Sequence, residues 1–286
     1  MNGIVIIDKP AGWTSQDVVS KLRGVLHTKR IGHGGTLDPM ATGVLPVFVG
    51  RGTRAVEFFE HAEKTYEAEL RLGITTDTED ITGTVLEEKP VSVTGEELEN
   101  TLAQFRGEIQ QIPPMYSALK INGQKLCDLA RKGKEVARKP RTVTIHALDL
   151  LIFDDATAKL RVHCSKGTYI RTLCKDIGEA LGCGGCMASL RRVTAGAYTI
   201  AQAVPLSALV ESEDPKSYLR PVDTMFTAYP AVTLTPNQEK RCRNGNQFSI
   251  DLPDGTYRAY GENGEFLMLA KVESGVMLTV KSFFEV

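Results

Sequence analysis

The chain has 286 residues, 42% of them hydrophobic and 24% charged, with a formal net charge of −1. That length supports a large core and two domains, and the balance is that of a globular protein rather than a disordered or fibrous one. No run approaches the roughly 20 apolar residues of a membrane-spanning helix, which excludes that class of membrane protein.

The start, Met1-Asn2-Gly3-Ile4-Val5-Ile6-Ile7-Asp8-Lys9-Pro10, lacks a basic region and a cleavage site. It reads as a first strand rather than a secretory signal, so a cytoplasmic location is expected. Thr14 or Ser15 then caps a helix in which Val18, Leu22, Val25 and Leu26 share one face. The next segment, Gly32-His33-Gly34-Gly35-Thr36-Leu37-Asp38-Pro39-Met40-Ala41-Thr42-Gly43, sets four glycines around a single acid. Proline biases Asp38 toward extended geometry, and the glycines permit close backbone approaches. Such a loop either presents a nucleophile or general base to a substrate, or is a turn whose acid bonds its own backbone.

From Lys64 to Gly73 the sequence alternates, with Tyr66, Ala68, Leu70 and Leu72 on one side. That is a half-buried strand with Tyr66 turned inward. Thr94-Gly95-Glu96-Glu97 is a capping box opening a helix that buries Leu98, Leu102 and Phe105 and stops near Gly107. Pro113 and Pro114 keep the following stretch extended.

Charge is unevenly spread. Residues 77–108 hold nine acids against Lys89 and Arg106, whereas residues 120–141 hold eight Lys/Arg against Asp128 and Glu135. The basic stretch is either a solvated face or an electrostatic footprint for a polyanion.

Leu160–Cys164 reads as a strand, and Ile170, Leu173, Cys174, Ile177 and Leu181 fall at helical spacing. Tyr169 and Arg171 therefore stand at a strand–helix junction. Of six cysteines only Cys183 and Cys186 have ligand-like spacing, and no second pair or nearby histidines complete a zinc site. Glu211–Pro215 reads as a loop. Beyond Ala228, short alternating runs are separated by Asn244-Gly245, Asp254-Gly255, Asn263-Gly264 and Ser274-Gly275, the pattern of a small all-β unit with hairpin turns.

Five blocks, in this order, resemble the TruB type of tRNA pseudouridine synthase: Lys9–Ser15, Gly32–Gly43, Lys64–Ala68, Ile112–Lys120 and Cys164–Arg171. They span most of residues 3–192. One departure is Gly34, where many members carry threonine. The resemblance implies an α+β fold: a catalytic domain with a mixed, largely antiparallel sheet flanked by helices, followed by a small C-terminal β-rich PUA-like domain. The expected division is residues 1–227 and 228–286, with the basic 120–141 segment gripping RNA.

The activity implied is isomerisation of uridine 55 in the T-loop of tRNA, with no cofactor and no metal. Asp38 is then the nucleophile, attacking C6 of the base or C1′ of the sugar. Arg171 is its ion-pair partner, and Tyr66 stacks on the base and assists proton removal. Tyr169 and Leu190 line the pocket, and His33 fills the space left by the flipped nucleotide. The implied partner is the tRNA T-arm, with no membrane and no obligatory protein partner, the chain acting as a monomer. Two other readings stay open on sequence: a non-catalytic tRNA-binding or folding protein on the same fold, and a zinc or thiol-redox protein using Cys183 and Cys186.

Overall fold

The pattern of each strand sets which faces of the main sheet are covered. The computed structural model describes residues 1–121 and 123–285; Asn122 of the basic segment and Val286 of the C-terminal unit lie outside them. Ten strands form the main sheet, running in the order Val204–Pro205, Gly3–Lys9, Thr42–Val49, Gly185–Ala195, Lys64–Leu72, Thr157–Cys164, Arg141–Asp154 and Gly107–Gln111. Ile31–His33 and Tyr198–Thr199 pair off this path. Pairing is antiparallel except where Gly3–Lys9 meets Val204–Pro205 and where Thr42–Val49 meets Gly185–Ala195.

The unbroken apolar run from Ile4 to Ile7 belongs to a strand, Gly3–Lys9, covered on both faces. Val5 and Ile7 join a core with Leu22, Leu45, Leu70, Leu173 and Ile177. Ile4 and Ile6 point the other way, toward Phe48, Phe59, Phe226 and Phe283. Lys64–Leu72 instead buries every second residue, Tyr66 through Leu72, as its alternation requires. Helices Ser15–Val25, Gly95–Ala103 and Ile170–Ala180 supply the first core's second layer through Leu22, Leu98 and Leu173. Capping boxes start the first two, at Thr14 with Asp17 and at Thr94 with Glu97.

The Gly185–Ala195 strand has no clean alternation in its sequence. Register shifts between Met187 and Ser189 and between Arg192 and Thr194 explain why, since each bulge resets the pattern. Leu190 and Arg192 come from this strand.

The C-terminal unit is a five-stranded sheet in the order Ala231–Thr233, Gly255–Tyr260, Phe266–Glu273, Val276–Ser282 and Phe248–Ser249. It is not all-β, because Pro236–Arg243 is a helix. Asn244-Gly245 is that helix's C-terminal stop, with Gly245 at φ +74°, and not a hairpin turn. Only Cys242 of the helix is buried, so no apolar stripe marks it in the sequence. A Thr235–Gln238 capping box, proline in its first turn and the Glu239–Arg243 pair hold it instead. Phe226, Phe266 and Phe283 pack together and join the two sheets.

Two glycines of the Asp38 segment stand where a side chain would collide. At Gly34 a Cβ would lie 2.6 Å from Cδ1 of Phe59, so a threonine at this position would require Phe59 to move. Gly43 has φ +100°, and its Cβ would lie 2.2 Å from the carbonyl oxygen of Arg192. Gly43→Ala is therefore expected to lower unfolding free energy by more than about 2 kcal/mol in denaturant titrations. Gly32→Ala, with nothing within 4 Å of its Cβ, should stay within about 0.5 kcal/mol of wild type.

Candidate active site

The loop carrying Asp38 is fastened to the Lys9–Ser15 block. The Leu37 amide donates to Ser15 Oγ at 2.8 Å, and the Gly12 amide donates to the Pro39 carbonyl at 2.8 Å. Lys9, fully buried, donates from Nζ to the carbonyls of Pro10 at 2.8 Å, Trp13 at 2.6 Å and Pro39 at 3.3 Å. Burial pushes the Lys9 ammonium down to about 8, with the nearby Asp38 charge opposing that shift. Two blocks far apart in sequence thus form one rigid turn.

Arg171 closes the pocket from the other side. Its Nε lies 2.9 Å from Oδ2 of Asp38, and the arginine side chain is 6% exposed against 35% for the acid. Nη1 donates to the Thr78 carbonyl at 3.0 Å and Nη2 to the Tyr116 carbonyl at 2.7 Å. A second acid, Asp80, stands 3.9 Å from the same Nε. Its other oxygen accepts from the Thr78 hydroxyl at 3.0 Å and the Thr82 hydroxyl at 2.6 Å. The Arg171 helix is capped by Tyr169 without a side-chain bond, which leaves the guanidinium near a helix N-terminus that disfavours cations. Asp38 and Asp80 offset that placement.

These groups open into a cavity of about 830 Å³ that also presents Tyr66, Tyr169 and Leu190. Tyr66 faces Arg192 directly across the sheet, and Leu190 faces Ala68. Burial raises the Tyr66 phenol, and the Arg192 charge works against that rise. Burial likewise raises Tyr169, opposed first by its contact with the Ser117 hydroxyl. His33 lies on Ile31–His33, outside the cavity lining, with Nδ1 buried and without a hydrogen-bond partner among the described residues. Burial and the Arg192 charge hold His33 toward its neutral form.

The structure therefore brings Asp38, Tyr66, Arg171, Tyr169 and Leu190 to one cavity, and leaves half-buried His33 outside its lining. Sequence reasoning missed Asp80 and Arg192. Asp80 sits in an acid-rich run that reads as solvated surface, and the bulges obscure the inward turn of Arg192. The thiols of Cys183 and Cys186 are both buried, and burial pushes Cys186 up to about 11. At Cys186 that disfavours the free thiolate on which redox exchange depends. Among the described residues, no group of three or more His, Cys, Asp or Glu is placed to hold a metal ion, and no helix is long and apolar enough to cross a membrane.

Residues 23–170 match the family model of the TruB family pseudouridylate synthase N-terminal domain, and residues 171–227 match that of the tRNA pseudouridylate synthase B C-terminal domain. The chain belongs to the TruB family. It is 43% identical to tRNA pseudouridine synthase B of Clostridium kluyveri, over 99% of this chain and 100% of that protein. It is 47% identical to tRNA pseudouridine synthase B of Ralstonia pickettii, over 88% of this chain and 81% of that one. The chain in a solved Cbf5-Nop10-Gar1 complex superposes with a TM-score of 0.74 at 25% identity, covering 99% of this chain and 85% of that one. A second neighbour, from an H/ACA RNP bound to a substrate RNA, gives a TM-score of 0.73 at 23% identity and shares the fold. This TruB chain is thus an enzyme of the pseudouridine synthase class, on that class's α+β fold.

Lys9 gives this TruB protein opposite pH responses in stability and activity. Below about pH 8 Lys9 is charged in both folded and unfolded chains, and the fold bears the full cost of burying it. Above that the folded chain releases the proton first, so stability rises until the unfolded lysine also titrates near its ordinary value. From pH 7 to 9.5 the gain should be at most about 2 kcal/mol by denaturant unfolding, and it should vanish in Lys9→Met. Over the same range activity should fall, as loss of the Lys9 charge weakens its grip on the Pro39 carbonyl that fastens the Asp38 loop.

Proposed function

We propose that this enzyme converts uridine 55 in the T-loop of tRNA to pseudouridine, with Asp38 as the nucleophile. The observation that carries the reading is the Asp38 carboxylate itself, 2.9 Å from a buried guanidinium and on a cavity also lined by Tyr66 and Tyr169. A nearby cation favours the ionised carboxylate against the desolvation that substrate entry brings. The relatives, tRNA pseudouridine synthases of bacteria, supply the substrate class. That relationship also supports work in the cytoplasm.

The target base lies inside a folded loop, so it must leave its stack to reach Asp38. A cavity of about 830 Å³ accommodates a flipped nucleotide with room for its neighbours. In this reading Tyr66 stacks on the base, Leu190 and Tyr169 bound it, and His33 fills the space it vacates. Asp38 then engages C6 or C1′, the glycosidic bond to N1 breaks, the base turns, and C5 joins C1′. The C5 proton leaves last, with Tyr66 beside it. No electrons are gained or lost overall, so the reaction itself calls for no redox cofactor.

The basic segment supports the same reading. Of its eight Lys/Arg, seven are exposed and Arg138 is half-buried, donating to the Pro113 carbonyl at 3.2 Å. Arg131 and Cys127 of this segment reach the cavity rim, where RNA backbone would cross. We assign catalysis to residues 1–227 and further RNA contact to residues 228–286, with the chain acting as a monomer.

Nucleotide-resolution pseudouridine mapping of an unmodified tRNA transcript tests this. Wild type should modify position 55 alone, and Asp38→Asn should leave every uridine unchanged while still binding the transcript. Modification elsewhere in the tRNA, or full activity of Asp38→Asn, would overturn the assignment.

A further inference from the structure

Four buried or half-buried cations in and beside the site are not equally matched. Arg171 has Asp38 and Asp80 beside it. Lys9 is wrapped by three carbonyls, with the Asp38 charge near. Arg192 is 1% exposed and has no carboxylate partner among the described residues. Its Nε donates to the Val44 carbonyl at 2.7 Å and its Nη2 to the Gly35 carbonyl at 3.1 Å. Lys64, half-buried, donates to the Ala62 carbonyl and likewise lacks an acid among those residues. Both line the cavity next to Tyr66, Arg192 directly across from it and Lys64 two residues before it on the same strand face.

Burying an unpaired guanidinium is strongly unfavourable, and two backbone carbonyls do not replace a counter-charge. Neighbouring charges make it worse: His33 is held toward neutrality and Lys64 is pushed down in part by Arg192 itself. The missing negative charge can arrive with the reaction. When the bond between C1′ and N1 breaks, its electron pair stays on the base, spread over N1, O2 and O4. If Asp38 attacks C1′, an ester oxygen–carbon bond forms as the carbon–nitrogen bond breaks. The negative charge then moves from the carboxylate beside Arg171 to the base beside Tyr66, with no proton transferred.

We propose that Arg192, assisted by Lys64, is the preset counter-charge for the uracil anion released when the glycosidic bond breaks. This rests on the reaction proposed above. It makes the cavity two-sided: Arg171 serves the charge before scission and Arg192 the charge after it. Tyr66, stacked on the base between them, keeps the anion against the cationic wall. A preorganised donor of this kind acts mainly on the transition state, where the charge develops.

The test compares single-turnover loss of the N-glycoside on transcripts carrying uridine or 5-fluorouridine at the target position. Fluorine stabilises the base anion without help from the protein. Arg192→Gln should slow scission of uridine by about 10²–10³-fold, and its deficit on 5-fluorouridine should be at least about tenfold smaller. Arg192→Lys, which keeps the charge, should fall between wild type and Arg192→Gln. Lys64→Met should show the same narrowing at lower amplitude, and it decides the matter if thermal unfolding shows that Arg192 variants do not fold. Equal deficits on both substrates, in whichever variants fold, would make these residues structural staples and overturn the inference while leaving the proposed reaction intact. A wild-type enzyme inactive on both transcripts would instead remove the reaction, and this inference with it.

Discussion

The ion pair between Asp38 and Arg171 is the constraint around which the site is organised. A guanidinium with 6% exposure at the start of a helix is unfavourable twice over, through lost hydration and through the helix dipole. It is tolerated because separate chain segments converge on it. Asp38 and Asp80 bring charge, while Thr78 and Tyr116 bring carbonyls at 3.0 and 2.7 Å. Removing any one strands the others, so the pair ties the Asp38 loop, the 76–84 loop and the Ile170–Ala180 helix into a single unit.

The remaining architecture keeps that unit still while leaving one side open. The Lys9–Ser15 block holds the Asp38 loop from behind, through backbone bonds and one buried ammonium. The sheet contributes Tyr66, Leu190 and Arg192 from adjacent strands at fixed register. Exposed Arg131 and Lys166 stand among the residues of the cavity, where they would draw in a polyanion without selecting its sequence. In the proposed reaction selection falls instead to the cavity, which would take a base turned out of its stack.

Much of this was legible in the sequence, and for identifiable reasons. The strand placing Tyr66 inward follows from plain alternation, and the Thr94 helix from its capping box. The Asp38 loop, by contrast, looks like an ordinary turn until it is set beside the Lys9–Ser15 block that fastens it. The tie between Lys9 and the Pro39 carbonyl joins residues thirty positions apart, which no local pattern reveals. Arg192 is hidden by two register shifts in its strand, and Asp80 by the acids around it. The Pro236–Arg243 helix escapes notice because caps and ion pairs, not an apolar face, hold it in place. Polar contacts, which leave no apolar period behind them, are the common thread in what the sequence concealed.

The role of Asp38 as nucleophile is tested most directly by stopping a single-turnover reaction with tRNA in acid and identifying the RNA-linked peptide by mass spectrometry. The expected result is RNA bound during turnover to the peptide holding Asp38, through its carboxylate, and free peptide once pseudouridine formation is complete. RNA attached through any other residue, or pseudouridine forming at full rate with no covalent species at any time, would contradict it.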